Sequence, residues 1–404
     1  MTKIPTQRSE PEAPLLEELT RHAEALVARQ FQQMGYPFDQ SVSLSGYYNW
    51  LLQTGLCNLT LINVGSPYKT GWDMLEVDEF ERRAIDFLAE AFRFPPLTHW
   101  GVLTNGGTDG NMHGVYFGRK FLEDSAREMG LVGDCAKPIL YVSEEAHYSV
   151  RKLGDILQIE TRTIAALEQG QMDIDDFRRQ INPTRPALVA IAIGGTFKGA
   201  IDDQRAIETV LNDVRPPVVY RHLDAALFGG YLPWLEDADA RSILDQSAMH
   251  FDSIAVSGHK FLAMNEPVGI FICRKEILDR LHTYSVPYLN GVIPTINCSR
   301  SGFDALKLYW RIATTTPEGF RQEAEHVLRM SQLLVEKLTQ HGIPNWRNPY
   351  SNTVCMRRPA ESVVHKYAMA CSECRFWGEL AHVVVMQFFN ESLIDQLVED
   401  IVAG

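Results

Sequence analysis

Val256-Ser257-Gly258-His259-Lys260-Phe261 is the stretch from which the rest of the chain is read. An apolar run with strand character, Phe251 to Val256, ends in a Ser-Gly-His turn and presents one lysine. A lysine held at the end of a buried strand loses hydration, which lowers its pKa and frees the amine for Schiff-base chemistry. Most lysines are solvated surface residues, so the reading needs a partner. Asp224 supplies one, because Val218-Val219-Tyr220-Arg221-His222-Leu223-Asp224-Ala225-Ala226 is a second apolar strand ending in a polar residue. A carboxylate with small residues after it can lie against a flat ring and hold a proton on a ring nitrogen.

A lysine for an imine and an aspartate for a pyridinium are what a protein needs to use pyridoxal phosphate. Leu103-Thr104-Asn105-Gly106-Gly107-Thr108-Asp109-Gly110-Asn111 suits the same cofactor. It follows the apolar run Trp100 to Leu103 and opens a helical pattern. Glycines let backbone N–H groups approach a phosphate, and a helix N-terminus attracts its charge. Gly106, Gly107 and Thr108 are therefore phosphate candidates, with Ser257 and His259 closing the other side. His147, in Ala146-His147-Tyr148-Ser149-Val150, follows the strand Pro138 to Val142 and is placed to stack on a planar ring. Ala226 is small enough to pack on the opposite ring face. Thr196, at the end of Ile193-Gly194-Gly195-Thr196, is a candidate contact for the ring hydroxyl or the substrate.

Asn105 to Asn111, His147-Tyr148-Ser149-Val150, Asp224-Ala225-Ala226 and Ser257-Gly258-His259-Lys260 stand in the order seen in the pyridoxal-phosphate group II amino-acid decarboxylases. The chain resembles that family, and within it the bacterial histidine decarboxylases and the plant serine decarboxylases. Gly199-Ala200-Ile201-Asp202-Asp203, Ser299-Arg300 with Gly302, and Ile343-Pro344-Asn345-Trp346-Arg347-Asn348 extend the resemblance over nearly everything after about Gly35. It implies the fold type I of pyridoxal-phosphate transferases, decarboxylation of an L-amino acid to its amine, and a homodimer with the site between subunits. It also implies catalytic roles for Lys260, His147, Asp224 and Tyr288. Tyr288 would come from a loop over the site, its phenol placed to return a proton to the substrate carbon.

Some positions depart from the histidine decarboxylase pattern. Ile62 and Ser66 replace more polar residues, Leu262-Ala263-Met264-Asn265-Glu266-Pro267 follows Phe261, and Phe303, Phe388 and Phe389 are apolar. If these line the pocket, it suits an apolar or aromatic side chain better than imidazole. Arg300 and Arg347 keep open an aminotransferase or lyase of the same fold, which would hold a substrate carboxylate with an arginine. A catalytically silent scaffold would be expected to lack Lys260 or Asp224, and both are present.

The 404 residues carry 45% hydrophobic and 22% charged side chains, values of an ordinary globular chain with ample core. A formal charge of −13 argues against nucleic-acid or anionic-membrane partners. No apolar run is long enough to span a bilayer, and the first residues lack an apolar signal region. Seven cysteines in so long a chain are not a disulfide framework, so a reducing cytoplasm is expected. No metal is expected, because Cys371-Ser372-Glu373-Cys374 has no second ligand pair.

Periodicity predicts a helix over Leu15 to Met34 with little of its own domain to pack on. The family resemblance implies a dimer arm lying across the partner subunit, the alternative being a helix packed on its own large domain. Helices are predicted over Phe80 to Phe92, Asp109 to Met129, Ser149 to Leu157 and Ile207 to Val214. They alternate with strands at Val102 to Thr104, Pro138 to Ser143, Ala187 to Ile193, the Asp224 strand and Ser253 to Val256. Gly269 to Cys273 reads as a later strand. That alternation predicts an α/β fold, a mainly parallel sheet with helices on both faces. A smaller C-terminal α+β domain follows, with helices at Ala305 to Thr314, Pro317 to His341 and Glu391 to Val402. The expected division is an N-terminal arm over 1–55, a large cofactor-binding domain over 56–300 and a small domain over 301–404.

Overall fold

The computed structural model describes residues 13–68, 75–281, 284–287 and 291–404. Tyr288 lies outside the described residues.

Helix α1 (Ala13–Val27) buries none of its residues, and Leu15, Leu16, Leu19, Leu26 and Val27 are all exposed. It stops well short of the expected Met34. Met34 itself is held outside any helix: its N–H donates to Tyr367 O (3.0 Å) and its O accepts from Val384 N–H (2.7 Å). A residue committed to those partners cannot continue a helix. Next come α2 (Ser45–Thr54), β1 (Ile62–Val64) and α3 (Asp78–Ala91). The amphipathic α3 buries Ala84, Ile85 and Leu88 and has Asp78, Glu79 and Glu81 in its first turn, where acids suit the helix dipole.

Strand and helix then alternate as β2 (His99–Thr104), α4 (Gly107–Glu128), β3 (Ile139–Ser143), α5 (Tyr148–Ile156), β4 (Glu160–Ile164), α6 (Ile174–Gln180), β5 (Ala187–Ala192) and α7 (Gln204–Val214). The run continues through β6 (Val219–Asp224), α8 (Ala238–Ser242), α9 (Gln246–Met249), β7 (Ser253–Ser257) and β8 (Gly269–Arg274). The seven strands form one sheet in the order β2-β8-β7-β6-β5-β3-β4. Pairing is parallel from β4 through to β7, and β8 runs antiparallel to both its neighbours. The expected α/β fold is borne out. Along β3 and β5, Leu140, Val142, Leu188 and Ala190 enter one core cluster while Tyr141, Val189 and Ile191 enter another. That alternation places a core on each face of the sheet.

After α10 (Lys275–Arg280), β9 (Tyr284–Val286) pairs with β10 (Gly291–Ile293), and β11 (Ser299–Ser301) pairs antiparallel with β1. Helix α11 (Gly302–Gln340) breaks at Thr316 (φ 64°, ψ 161°), just before Pro317, and so is the two predicted helices. The chain closes with β12 (Asn345–Trp346), β13 (Thr353–Arg357), α12 (Glu361–Lys366), β14 (Ala370–Cys374), β15 (Gly378–Val384) and α13 (Glu391–Ala403). Those four strands make an antiparallel sheet ordered β12-β13-β15-β14. Cys371 and Cys374 lie three apart on β14, one exposed and one buried, so strand geometry directs them to opposite faces. Among the described residues no helix is long and apolar enough to cross a membrane.

Candidate active site

Strands β2, β3, β5, β6 and β7 share one direction, so their carboxyl ends open along one edge of the sheet. The turns after β6 and β7 are locked together, Ala225 N–H donating to Ala255 O (3.0 Å) and Ser257 N–H to Ala226 O (2.9 Å). The start of α4 presses against them. A Cβ built on Gly107 would lie 2.5 Å from Ser257 Oγ and 3.5 Å from Ala226 Cβ. One on Gly106 would lie 3.4 Å from the His259 ring, and Gly106 itself holds φ 83°. Gly106, Gly107, Ala226, Ser257 and His259 are thus brought close together, with no room for a side chain on Gly107. The first amides of α4, from Gly107 and Thr108, have no partner within the helix and face the charge a helix N-terminus attracts. Thr108 is exposed there, and Thr196 is exposed on the turn that follows β5.

Lys260, His147 and Asp224 feel one another's charge. Burial pushes the Lys260 amine below its ordinary value, and Asp224 opposes that shift. Burial likewise lowers the pKa of His147, with Asp224 raising and Lys260 lowering it. His147 caps α5: its Nδ1 lies 2.6 Å from Ser149 Oγ and accepts from Ser149 N–H. A nitrogen that accepts there leaves the proton of the neutral ring on Nε2. His259 donates from Nδ1 to Val268 O (3.1 Å) and is also held below its ordinary pKa by burial.

Asp224, 8% exposed, is held from behind. Asn111 Nδ2 donates to its Oδ2 (2.9 Å), and Ala226 N–H donates to its Oδ1 (3.3 Å). Asn111 Oδ1 in turn lies 3.0 Å from His222 Nε2, and His222 Nδ1 lies 2.8 Å from Ser253 Oγ. Sequence reasoning quoted Asn111 and His222 within motifs but assigned neither a role.

The two arginines in question are both engaged elsewhere. Arg300 makes a two-pronged pair with the fully buried Glu81, Nε to Oε1 and Nη2 to Oε2 at 2.9 Å each, and donates to Gly65 O (2.7 Å). Glu81 also receives Asn63 Nδ2 (2.7 Å) and Leu103 N–H (2.9 Å). Arg300 therefore ties β1, β2 and α3 to β11. Arg347 donates to Ser351 O (2.8 Å) and Gln332 Oε1 (3.0 Å). Ser66 accepts from Trp100 Nε1 (3.0 Å). Leu262 and Phe389 lie in the main core, Phe388 packs on Phe31 and Phe389, and Phe303 sits against a cluster around Tyr47. Packing accounts for their apolar character.

The conserved domain of pyridoxal-dependent decarboxylases matches residues 75–355. The histidine decarboxylase of Acinetobacter baumannii (strain ACICU) is 32% identical over 378 residues, 92% of this chain and 91% of that protein. The histidine decarboxylase of Morganella morganii is 31% identical over 382 residues, 93% of each. The fold is shared with L-methionine decarboxylase from Streptomyces sp.590, with a TM-score of 0.83 at 20% identity over 98% of this chain and 96% of that one. Glutamate decarboxylase of Lactobacillus brevis gives 0.79 at 18% identity, over 100% and 94%. This chain belongs to the group II pyridoxal-phosphate-dependent decarboxylases. It is an amino-acid decarboxylase, a carboxy-lyase that uses pyridoxal phosphate.

Proposed function

We propose that the enzyme decarboxylates L-histidine to histamine, and that the cleft at the strand ends is where it does so. The substrate rests on likeness to the histidine decarboxylases. The apolar reading of the pocket loses its support where Phe303, Phe388 and Phe389 are taken up by packing. The observation that carries the site is the convergence of Lys260, Asp224 and His147, each within reach of another's charge.

The residues fit the cofactor. The bare glycine backbone at Gly106 and Gly107, the first amides of α4 at Gly107 and Thr108, and the Ser257 hydroxyl close to Gly107 suit a phosphate, with His259 beside them. When bound, pyridoxal phosphate supplies the electron sink for the pair left behind as CO2 departs. Lys260 Nζ, whose pKa burial lowers so that the amine gives up its proton more readily, would anchor the cofactor and would be free to carry a proton once a substrate amine takes its place. Asp224 would hold a proton on the ring nitrogen. His147, fixed by Ser149, would stack on the ring, with Ala226 and Thr196 as further contacts. Tyr288 would be the residue to return a proton to the substrate carbon.

Division into an arm (1–55), a large domain (56–300) and a small one (301–404) belongs to the same proposal. So does a homodimer with the site at the subunit interface, supported by the apolar residues that α1 leaves exposed. The cytoplasm is the compartment we infer, since all seven cysteines are free. An aminotransferase is disfavoured because Arg300 and Arg347 are already bonded within the fold.

The test is to incubate the yellow holoenzyme with each of the twenty amino acids and record CO2 and amine. Histamine as the main product supports the proposal. Turnover of another amino acid but not histidine refutes the substrate, and a keto acid as main product refutes the site chemistry.

A further inference from the structure

We propose that Asn111, His222 and Ser253 are positioning residues whose hydrogen bonds keep the proton shared by Asp224 and the cofactor on the ring nitrogen. This rests on the proposed placement of Asp224 against that nitrogen.

The direction of every hydrogen bond in the chain follows from its first member. A carboxylate only accepts, so Asn111 must turn its Nδ2 toward Asp224 Oδ2 (2.9 Å). That leaves Asn111 Oδ1 as an acceptor, so His222 Nε2 must carry a proton (3.0 Å). Burial drives the His222 pKa down to about 4, with Asp224 opposing, so the ring is neutral and Nδ1 is bare. Ser253 Oγ–H therefore donates to Nδ1 (2.8 Å). Three donors point one way, toward Asp224. Aligned hydrogen bonds polarise one another in a medium of low dielectric. The last donor, the Asn111 amide, is strengthened by those behind it. A carboxylate that accepts a strong hydrogen bond binds a proton less tightly. Asp224, held as an acceptor by the Asn111 amide, then faces the ring nitrogen as the partner of a proton carried there.

The fold is arranged for this contact. Asn111, His222 and Ser253 are 2%, 0% and 0% exposed, so the chain is shielded from bulk water. His222 stands two residues before Asp224 on β6, on the same face. Helix α4 comes close enough only because it turns glycines to the sheet. A Cβ on Gly114 would lie 2.2 Å from the His222 ring, and one on Gly110 3.0 Å from Ala255 Cβ. The helix is thereby seated where Asn111 reaches the carboxylate.

The experiment uses holoenzyme reconstituted with cofactor labelled with 15N in the pyridine ring, read by 15N NMR. The parent should show the shift of a protonated ring nitrogen. His222→Leu should move the signal toward the unprotonated value and lower kcat by about 10-fold, with KM within about 2-fold. His222→Gln, which can donate to Asn111 from the position of Nε2, should recover most of both. Ser253→Ala, a smaller change that guards against misfolding of the leucine variant, should shift the signal in the same direction by less. A loss of thermal stability alone, with the 15N signal and kcat unchanged in both His222→Leu and Ser253→Ala, overturns the inference. A parent that binds the cofactor with its ring nitrogen unprotonated overturns instead the placement of Asp224 on which it rests.

Discussion

Replacing Arg300 by alanine separates the two readings its sequence context allows, a cation for the substrate or a tie within the fold. Its guanidinium pairs through two nitrogens with Glu81, and the two side chains are 8% and 0% exposed. Removing one partner of a buried pair costs about 3–5 kcal/mol, because the other charge is left without compensation. Glu81 keeps Asn63 Nδ2 and Leu103 N–H in Arg300→Ala, which favours the lower end, about 3 kcal/mol. With a urea m-value of about 3 kcal/mol/M, that moves the unfolding midpoint down by about 1 M. The assay is urea unfolding of parent and variant at equal protein and cofactor concentration, since association and binding both shift midpoints. Adding Glu81→Gln to Arg300→Ala should recover part of the loss, because it removes the uncompensated charge while the amide oxygen still accepts from a buried donor that Glu81 now satisfies. Activity measured below the transition should retain the parent KM. An Arg300→Ala enzyme as stable as the parent, with KM raised 10-fold or more, would refute this reasoning and return the arginine to the substrate.

Lys260→Ala should fold yet show neither the yellow absorbance of bound cofactor nor turnover, checked by visible spectroscopy and CO2 release. Asp224→Asn should still bind cofactor through Gly106, Gly107 and Ser257 but turn over roughly 10²-fold more slowly, equivalent to ~3 kcal/mol of lost transition-state stabilisation. In heavy water the amine from the parent should carry one solvent deuteron on the carbon that lost CO2, as mass spectrometry would read. Asp78, pushed up to about 7 by burial and then by Glu81 and Glu76, binds a proton more tightly folded than unfolded. Its contribution is fully present below the ordinary value of 3.8 and is lost progressively as pH rises to about 7. The stability that Asp78→Asn gains over the parent in thermal unfolding should therefore be largest at about pH 8, smaller at about pH 5 and smallest near pH ~4.

The large sheet was legible because parallel strands buried on both faces read as continuous apolar runs. Ile139–Ser143, Ala187–Ala192 and Ser253–Ser257 are buried along their whole length. Edge strand β4 escaped notice because Glu160-Thr161-Arg162-Thr163-Ile164 has one face in solvent and little apolar content to betray it. Helix α6 is short and is set by its cap, Asp173 accepting from Asp175 and Asp176 N–H, rather than by periodicity. The break in α11 was legible because Pro317 states it locally. The non-helical state of Met34 was not, because it is held by a pair of hydrogen bonds to residues more than three hundred positions away.

The same division runs through the site. Lys260, His147 and Asp224 each stand at the carboxyl end of a strand, and a strand followed by a turn is a local pattern. Their convergence then follows from the topology alone, since parallel strands place like ends on one edge. What tunes them has no such local mark. Asn111 reaches Asp224 from α4, with His222 on β6 behind it and Ser253 on β7 behind His222. One trace of that assembly was on view: Gly107, Gly110, Gly114 and Gly118 recur along one helix at spacings of three and four. Glycine costs a helix interior about 1 kcal/mol each relative to alanine. A helix that keeps four of them on one face is pressed against something that leaves no room for a methyl group. Here that surface is the back of the strands that carry Asp224 and lead to Lys260, with His222 and Tyr220 against Gly114 and Gly118. The glycines therefore predict where the helix lies, and Asn111 beside Gly110 is the side chain such an approach delivers to the carboxylate.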